Sequence, residues 1–220
     1  MQLLLSRAFC IDMARLQLGL FLFGLAIGLM LEASIGLDPW SAFHDVVSER
    51  SGLSFGRISQ ATGLAIIVFS RAALGVRPGI ATICNMLTVG PWVDVLRPHL
   101  GFASGALTGT AQFVVAIPVL GVATAVYIGA TLGAGPRDGL AMGLSRRIGR
   151  SLRATRIGVE VTVLVIAALL GGSIGLGTLL FALLMGPTMQ ASLRLFSVST
   201  DPSPRVRQHG IRPPHAGGVD

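Results

Sequence analysis

Lysine is absent from this 220-residue chain, so every one of the 17 basic side chains is an arginine. Charge of either sign is scarce. Only 12% of residues are charged while 52% are hydrophobic, and a soluble domain carries about 25% charged residues. That is too little charge to coat a water-soluble globule, which excludes an ordinary cytosolic enzyme. Two cysteines, Cys10 and Cys84, cannot form the framework of a secreted disulfide scaffold. They read as small apolar side chains. Tyrosine occurs once and tryptophan twice, and no aromatic residues interleave with the arginines, which argues against a nucleic-acid surface. No glycine-rich phosphate loop of the Walker type occurs, so an ATP-driven pump within this chain is excluded.

Long apolar runs fill the space the charges leave. The mean hydropathy is +0.73, and the expected class is an all-α polytopic membrane protein. Six spans are expected: Leu16 to Ile35, Ile58 to Gly75, Pro78 to Leu96, Gly109 to Leu132, Leu152 to Gly171, and Ile174 to Phe196. The second is the weakest, because Arg57 and Arg71 flank it closely. The first run is too long for a cleaved signal peptide. Pro118 is expected to kink the fourth helix. Residues 1–196 read as one membrane domain. Residues 197–220, rich in Pro, Arg and Gly, read as a disordered cytoplasmic tail.

The arginines are unevenly divided among the expected loops. The N-terminus, the 2–3 loop, the 4–5 loop and the tail carry 14 of the 17, and the other side carries Arg50, Arg57 and Arg97. Under the positive-inside rule both termini are then cytoplasmic, in a bacterial plasma (inner) membrane. The 4–5 loop, with Arg137, Arg146, Arg147, Arg150, Arg153 and Arg156, is a candidate contact for anionic lipid.

The chain also matches itself. At a spacing of 97, Gly36 pairs with Gly133, Pro39 with Pro136, Ser48 with Ser145, Gly52 with Gly149 and Ser54 with Ser151. At 96, Gly79 pairs with Gly175, Thr82 with Thr178, and Gly90-Pro91 with Gly186-Pro187. Repeat 1 covers about 15–100 and repeat 2 about 108–196. Three spans per repeat is an odd number, so the second copy enters from the opposite face, and two inverted three-helix repeats are expected.

Gly36 to Glu49 reads as a helix start with Asp38 as N-cap and Pro39 at the first helical position. Two readings are open for this segment and for its counterpart after Gly133: an interfacial amphipathic helix anchored by Trp40, or a re-entrant half-helix whose N-terminus points at a substrate. The paired Gly-Pro positions, Gly90-Pro91 and Gly186-Pro187, read as helix breaks beside a binding site. Asn85 suits an interhelical hydrogen bond or a ligand contact. Glu160, one turn after Arg156, reads as its ion-pair partner, and Asp94 is expected to pair with Arg97. Candidate substrate-binding residues are therefore Asp38, Trp40, Asn85, Gly90, Pro91, Asp138, Gly186 and Pro187. Two Gly-x-Ser-x-Gly matches, at Gly52 and Gly171, lack the strand-to-helix elbow a hydrolase needs. The spacing of His44, Asp45 and Glu49 is not diagnostic of a metal. No catalytic residue, metal or cofactor is expected, and oligomeric state is not legible.

Arg77-Pro78-Gly79-Ile80-Ala81-Thr82 and Gly90-Pro91-Trp92-Val93-Asp94, with two copies of Gly-x-Gly/Asp-Pro after a first helix, resemble the YczE/YyaS/YitT-type bacterial integral membrane proteins. The resemblance covers about residues 15–196 and implies a multi-pass plasma-membrane protein. It brings no substrate. The family often has Asp two residues after the motif Pro; Asp138 fits, whereas Ser41 stands there in the first copy. The expected function is a small-solute secondary transporter or permease, with a non-transporting scaffold or regulatory protein as the alternative.

Overall fold

The computed structural model describes residues 7–101 and 105–198, and among these the regular structure is helical throughout. The helices are α1 (Arg7–Glu32), α2 (Pro39–Ser51), α3 (Phe55–Leu74), α4 (Ile80–Leu96), α5 (Ala106–Gly129), α6 (Pro136–Ile148), α7 (Leu152–Leu169) and α8 (Leu176–Leu195), with a short 3-10 turn at Arg97–His99. The expected tail lies almost wholly outside the described residues.

α1 and α5 form the centre. Leu16, Leu20 and Met30 of α1 and Phe113 and Ile117 of α5 are fully buried or nearly so. Small residues allow the close approach, as is usual between helices in lipid. A Cβ on Gly19 of α1 would come within 2.7 Å of the Tyr127 backbone nitrogen on α5. α4 packs on α1, α8 packs on α5, α2 packs on α7, and α6 packs on α3.

Apart from Ser197 (φ 50°), the left-handed backbone breaks recur along the chain. Left-handed φ values occur at Ser34 and Thr131 (54° and 55°), Gly36 and Gly133 (110° and 121°), Gly52 and Gly149 (70° and 66°), and Gly75 and Gly171 (67° and 80°). Side-chain bonds recur too. Ser54 Oγ accepts from Arg57 N, as Ser151 Oγ does from Ala154 N. Ser48 Oγ donates to Leu53 O, as Ser145 Oγ does to Arg150 O. The two sets of four helices also hold each other. Gly177 N–H donates to Ile35 O (2.8 Å) and Thr178 Oγ1 to Leu37 O (2.8 Å). In the matching place Ala81 N–H donates to Leu132 O (3.1 Å) and Thr82 Oγ1 to Ala134 O (2.6 Å). The starts of α8 and α4 are thus docked on the breaks before α2 and α6.

By length and apolar content α1, α5 and α8 each suffice to cross a membrane, and α2 with α3, bent by 117°, makes a fourth if counted as one broken span. α4 has 17 residues, and α7 has 18 with Arg153, Arg156 and Glu160 among them. The Gly-Pro positions are not breaks. α4 runs on through Pro91, α8 through Pro187 and α5 through Pro118. Proline at position 91 leaves the Leu87 carbonyl without its helical donor, and Gln60 Nε2 on α3 supplies one at 2.9 Å. That bond from a neighbouring helix removes the reason to break.

Candidate functional site

α2 begins as the sequence predicts. Asp38 caps it, accepting from Ser41 N at 3.2 Å, with Pro39 in the first turn. Its surroundings are not those of an interfacial helix. Trp40, Ser41, Ala42, His44, Asp45 and Val46 are all buried, because α2 is held between α3 and α7. Asp38 Oδ1, Ser41 Oγ and both ring nitrogens of His44 are buried with no hydrogen-bond partner among the described residues. His44 is enclosed by Phe43 and Trp40, and edge-on by Phe55 with ring centres 5.5 Å apart. An unpaired buried polar group costs about 1–3 kcal/mol, so these four atoms, one on the cap and three on α2, make the start of this helix a candidate polar site.

α6 starts differently. Gly135 is its N-cap and Pro136 its first residue, and no side chain caps the first turn. Tyr127 Oη accepts from Gly135 N (3.3 Å) and donates to Asp138 Oδ2 (2.8 Å). Asp138 Oδ1 meets Arg156 at 3.4 Å, and Arg156 meets Glu160 at 3.3 Å, the pair expected from their spacing. Asn85 Nδ2 approaches the same point, 3.7 Å from where a Cβ on Gly135 would lie. It is half-buried, and its side chain makes no hydrogen bond among the described residues, so the interhelical bond expected of it is not formed.

The two helix starts meet. The guanidinium of Arg137 lies over the Trp40 ring, 4.9 Å from its centre. Trp40 and Arg137 are 97 residues apart, the spacing that relates the two halves. Arg137 makes no hydrogen bond or ion pair among the described residues, although Asp38 and Asp138 both act on its charge. Trp40 also borders an open groove of about 840 Å³ between α3 and α7, lined by Thr62, Ile66 and Phe69 and by Val159, Thr162 and Val163.

A second cluster fastens the ends of α1 and α4 to the middle of α2. Arg97 meets Glu32 (2.8 Å) and Asp45 (3.2 Å). Burial works against its charge, but the two carboxylates outweigh burial and hold its pKa above the ordinary arginine value. The expected Asp94–Arg97 pair does not form. Asp94 Oδ1 accepts from Gly56 N instead, at 2.9 Å, because α3 starts directly beside α4.

Of the predicted residues, Asp38, Trp40 and Asp138 come together at the α2–α6 meeting, with Asn85 beside Gly135. Gly90 serves a helix contact, since a Cβ there would lie 2.7 Å from Gly56 Cα; Pro91 follows it within α4. Gly186 and Pro187 are exposed on α8, with nothing within 4 Å of a Cβ added at Gly186. Sequence reasoning missed Arg137, Ser41 and His44. By sequence Arg137 belongs to the basic loop, yet it lies in the first turn of α6 and is half-buried. Its place 97 residues after Trp40, the spacing at which the chain matches itself, is the signal that could have found it. The other loop arginines, Arg146, Arg147, Arg150 and Arg153, are exposed.

A family described as "Family of unknown function (DUF6198)" matches residues 11–194. The Bacillus subtilis protein "Uncharacterized membrane protein YczE" is 33% identical over 80% of this chain and 82% of its own length. An uncharacterized protein of Haemophilus influenzae is 28% identical over 83% of each chain. "Uncharacterized protein YyaS" of Bacillus subtilis is 22% identical over 77% of this chain and 86% of its own. No solved structure matches.

Proposed function

The chain belongs to the DUF6198 family, with YczE and YyaS among its relatives, and from that membership and the geometry above we propose that this membrane protein is a small-solute secondary transporter or permease. In this reading α1, α3, α4, α5, α7 and α8 cross the bacterial plasma membrane, and both termini are cytoplasmic. α2 and α6 are half-helices that enter without crossing. Residues 7–101 and 105–198 then form two inverted halves. The recurrence of breaks, caps and docking bonds at spacings of 97 and 96 supports the inversion, as does the charge of the matched segments: Asp38, Asp45 and Glu49 against Arg50 and Arg57 in the first, six arginines against Asp138 in the second.

One observation carries the transport reading: the first turns of α2 and α6 meet inside the protein around Arg137, Trp40 and a set of buried polar atoms without partners. A scaffold gains nothing from such atoms, whereas a solute site needs them. An asymmetry between the halves supports it further. α3 packs on α4 through Gly56 and Gly90, while no comparable packing joins α7 to α8, where Arg153 stands in the place of Gly56. One closed and one open copy of the same contact is what alternating access requires of inverted repeats. The exposed arginines of the α6–α7 turn suit contact with anionic headgroups on the cytoplasmic face.

The test is uptake. Vesicles reconstituted with the protein are given a pooled water-soluble metabolite extract, and the solutes that enter are identified by mass spectrometry. Specific solutes should accumulate over protein-free vesicles, and Arg137→Gln should abolish the excess. An uptake profile identical to that of empty vesicles would refute transport.

A further inference from the structure

The meeting point of α2 and α6 has unsatisfied groups of both signs. Arg137 brings five N–H donors and meets no acceptor among the described residues. It sits in the first turn of α6, whose backbone N–H groups carry the positive end of the helix dipole and no side-chain cap. On the α2 side stand Asp38 Oδ1, an acceptor without a donor, and Ser41 Oγ and His44 beyond it, each on a residue at least nine-tenths buried.

These groups discriminate among ligand classes. A plain dianion such as phosphate would take Arg137 but be repelled by Asp38 and Asp138. A plain cation would take Asp38 but be repelled by Arg137. A neutral solute would leave Asp38 Oδ1 and the Arg137 guanidinium without charged hydrogen-bond partners, which is the expensive outcome. A solute with a carboxylate and an ammonium a few bonds apart satisfies both ends at once.

We propose that the meeting of the first turns of α2 and α6 binds a small zwitterion of the amino-acid class, its carboxylate held by Arg137 and the α6 N-terminus and its ammonium by Asp38. Ser41 and His44 supply further hydrogen bonds to the ammonium end, and Trp40 forms an apolar wall beside the groove between α3 and α7. This inference rests on the transport reading and names its substrate class.

The test is ligand binding by the full chain in detergent, read as a rise in thermal unfolding temperature. The probes are the twenty amino acids one at a time, with acetate, ethylammonium and phosphate as single-charge controls at equal concentration. At least one amino acid should stabilise the protein, and the controls should not. Asp38→Asn keeps a good helix cap while removing the charge, and should weaken amino-acid binding about 10- to 100-fold. Ser41→Ala, a nearly isosteric change that removes an unpaired buried hydroxyl, should weaken it while the unliganded unfolding temperature holds or rises. Absence of any shift in folded protein overturns the proposal. So does equal stabilisation by acetate or phosphate, or full binding by Asp38→Asn. Counterflow of the radiolabelled amino acid separates the two claims. Binding without crossing keeps the site and ends the transport reading. Transport of another solute class, unaffected by Asp38→Asn, keeps transport and ends this assignment.

Discussion

At Gly36 the chain has φ = 110°, and a Cβ there would meet Gly175 N at 2.5 Å. Both the backbone angle and the space therefore exclude a side chain. Gly36→Ala should destabilise the protein by about 2 kcal/mol or more, summing left-handed strain and overpacking. Its unfolding temperature in detergent should drop sharply, whereas Gly52→Ala, strained but with open space around it, should cost only about 1 kcal/mol. An unchanged unfolding temperature for Gly36→Ala would show that the break before α2 is not docked on α8. The residue scale also explains which site members were readable. Asp38 announces itself as a cap next to a proline. Arg137 looks like any other arginine of a basic run until its neighbours are known.

At the scale of elements, the matter is why α4 stays whole through Pro91. The bond from Gln60 Nε2 to Leu87 O replaces the one that proline removes. Gln60→Ala should leave that carbonyl unsatisfied and destabilise the protein by about 1 kcal/mol, measured by thermal unfolding. The effect should vanish if Pro91→Ala is added, because the helical N–H then returns. A Gln60→Ala cost that persists in the double variant would mean that Gln60 acts elsewhere. The salt links of Arg97 are a weaker fastening. They lie on side chains 12% to 38% exposed, and part-exposed pairs contribute little. Packing, with α2 held against α3 and α7, keeps that helix inside.

On the scale of the whole molecule, the arginines and the recurrent breaks bear on one arrangement. If the halves are inverted, matched positions lie on opposite faces of the membrane. Ser51 and Ile148 are matched, exposed, and at the ends of α2 and α6. In a background with Cys10 and Cys84 replaced, a membrane-impermeant thiol reagent applied to intact cells should label Ser51→Cys and spare Ile148→Cys. Labelling of both from outside would refute the inverted topology and, with it, two matched half-helices entering from opposite sides.

Composition and local pattern suffice for the helical class, the membrane character, the starts of α2 and α6, the spacing of 97 between matched segments, and the resemblance that the relatives YczE and YyaS bear out. These follow from composition, apolar runs and local capping, which depend on residues near one another in the chain. It took the packed helices to place α2 inside the protein, to stack Arg137 on Trp40, to give Arg97 to Glu32 and Asp45 rather than Asp94, and to carry α4 and α8 unbroken through their Gly-Pro positions. The reason is physical. A local pattern fixes whether a segment is helical, but which face is buried, and which charge meets which, depends on helices brought together from distant parts of the chain.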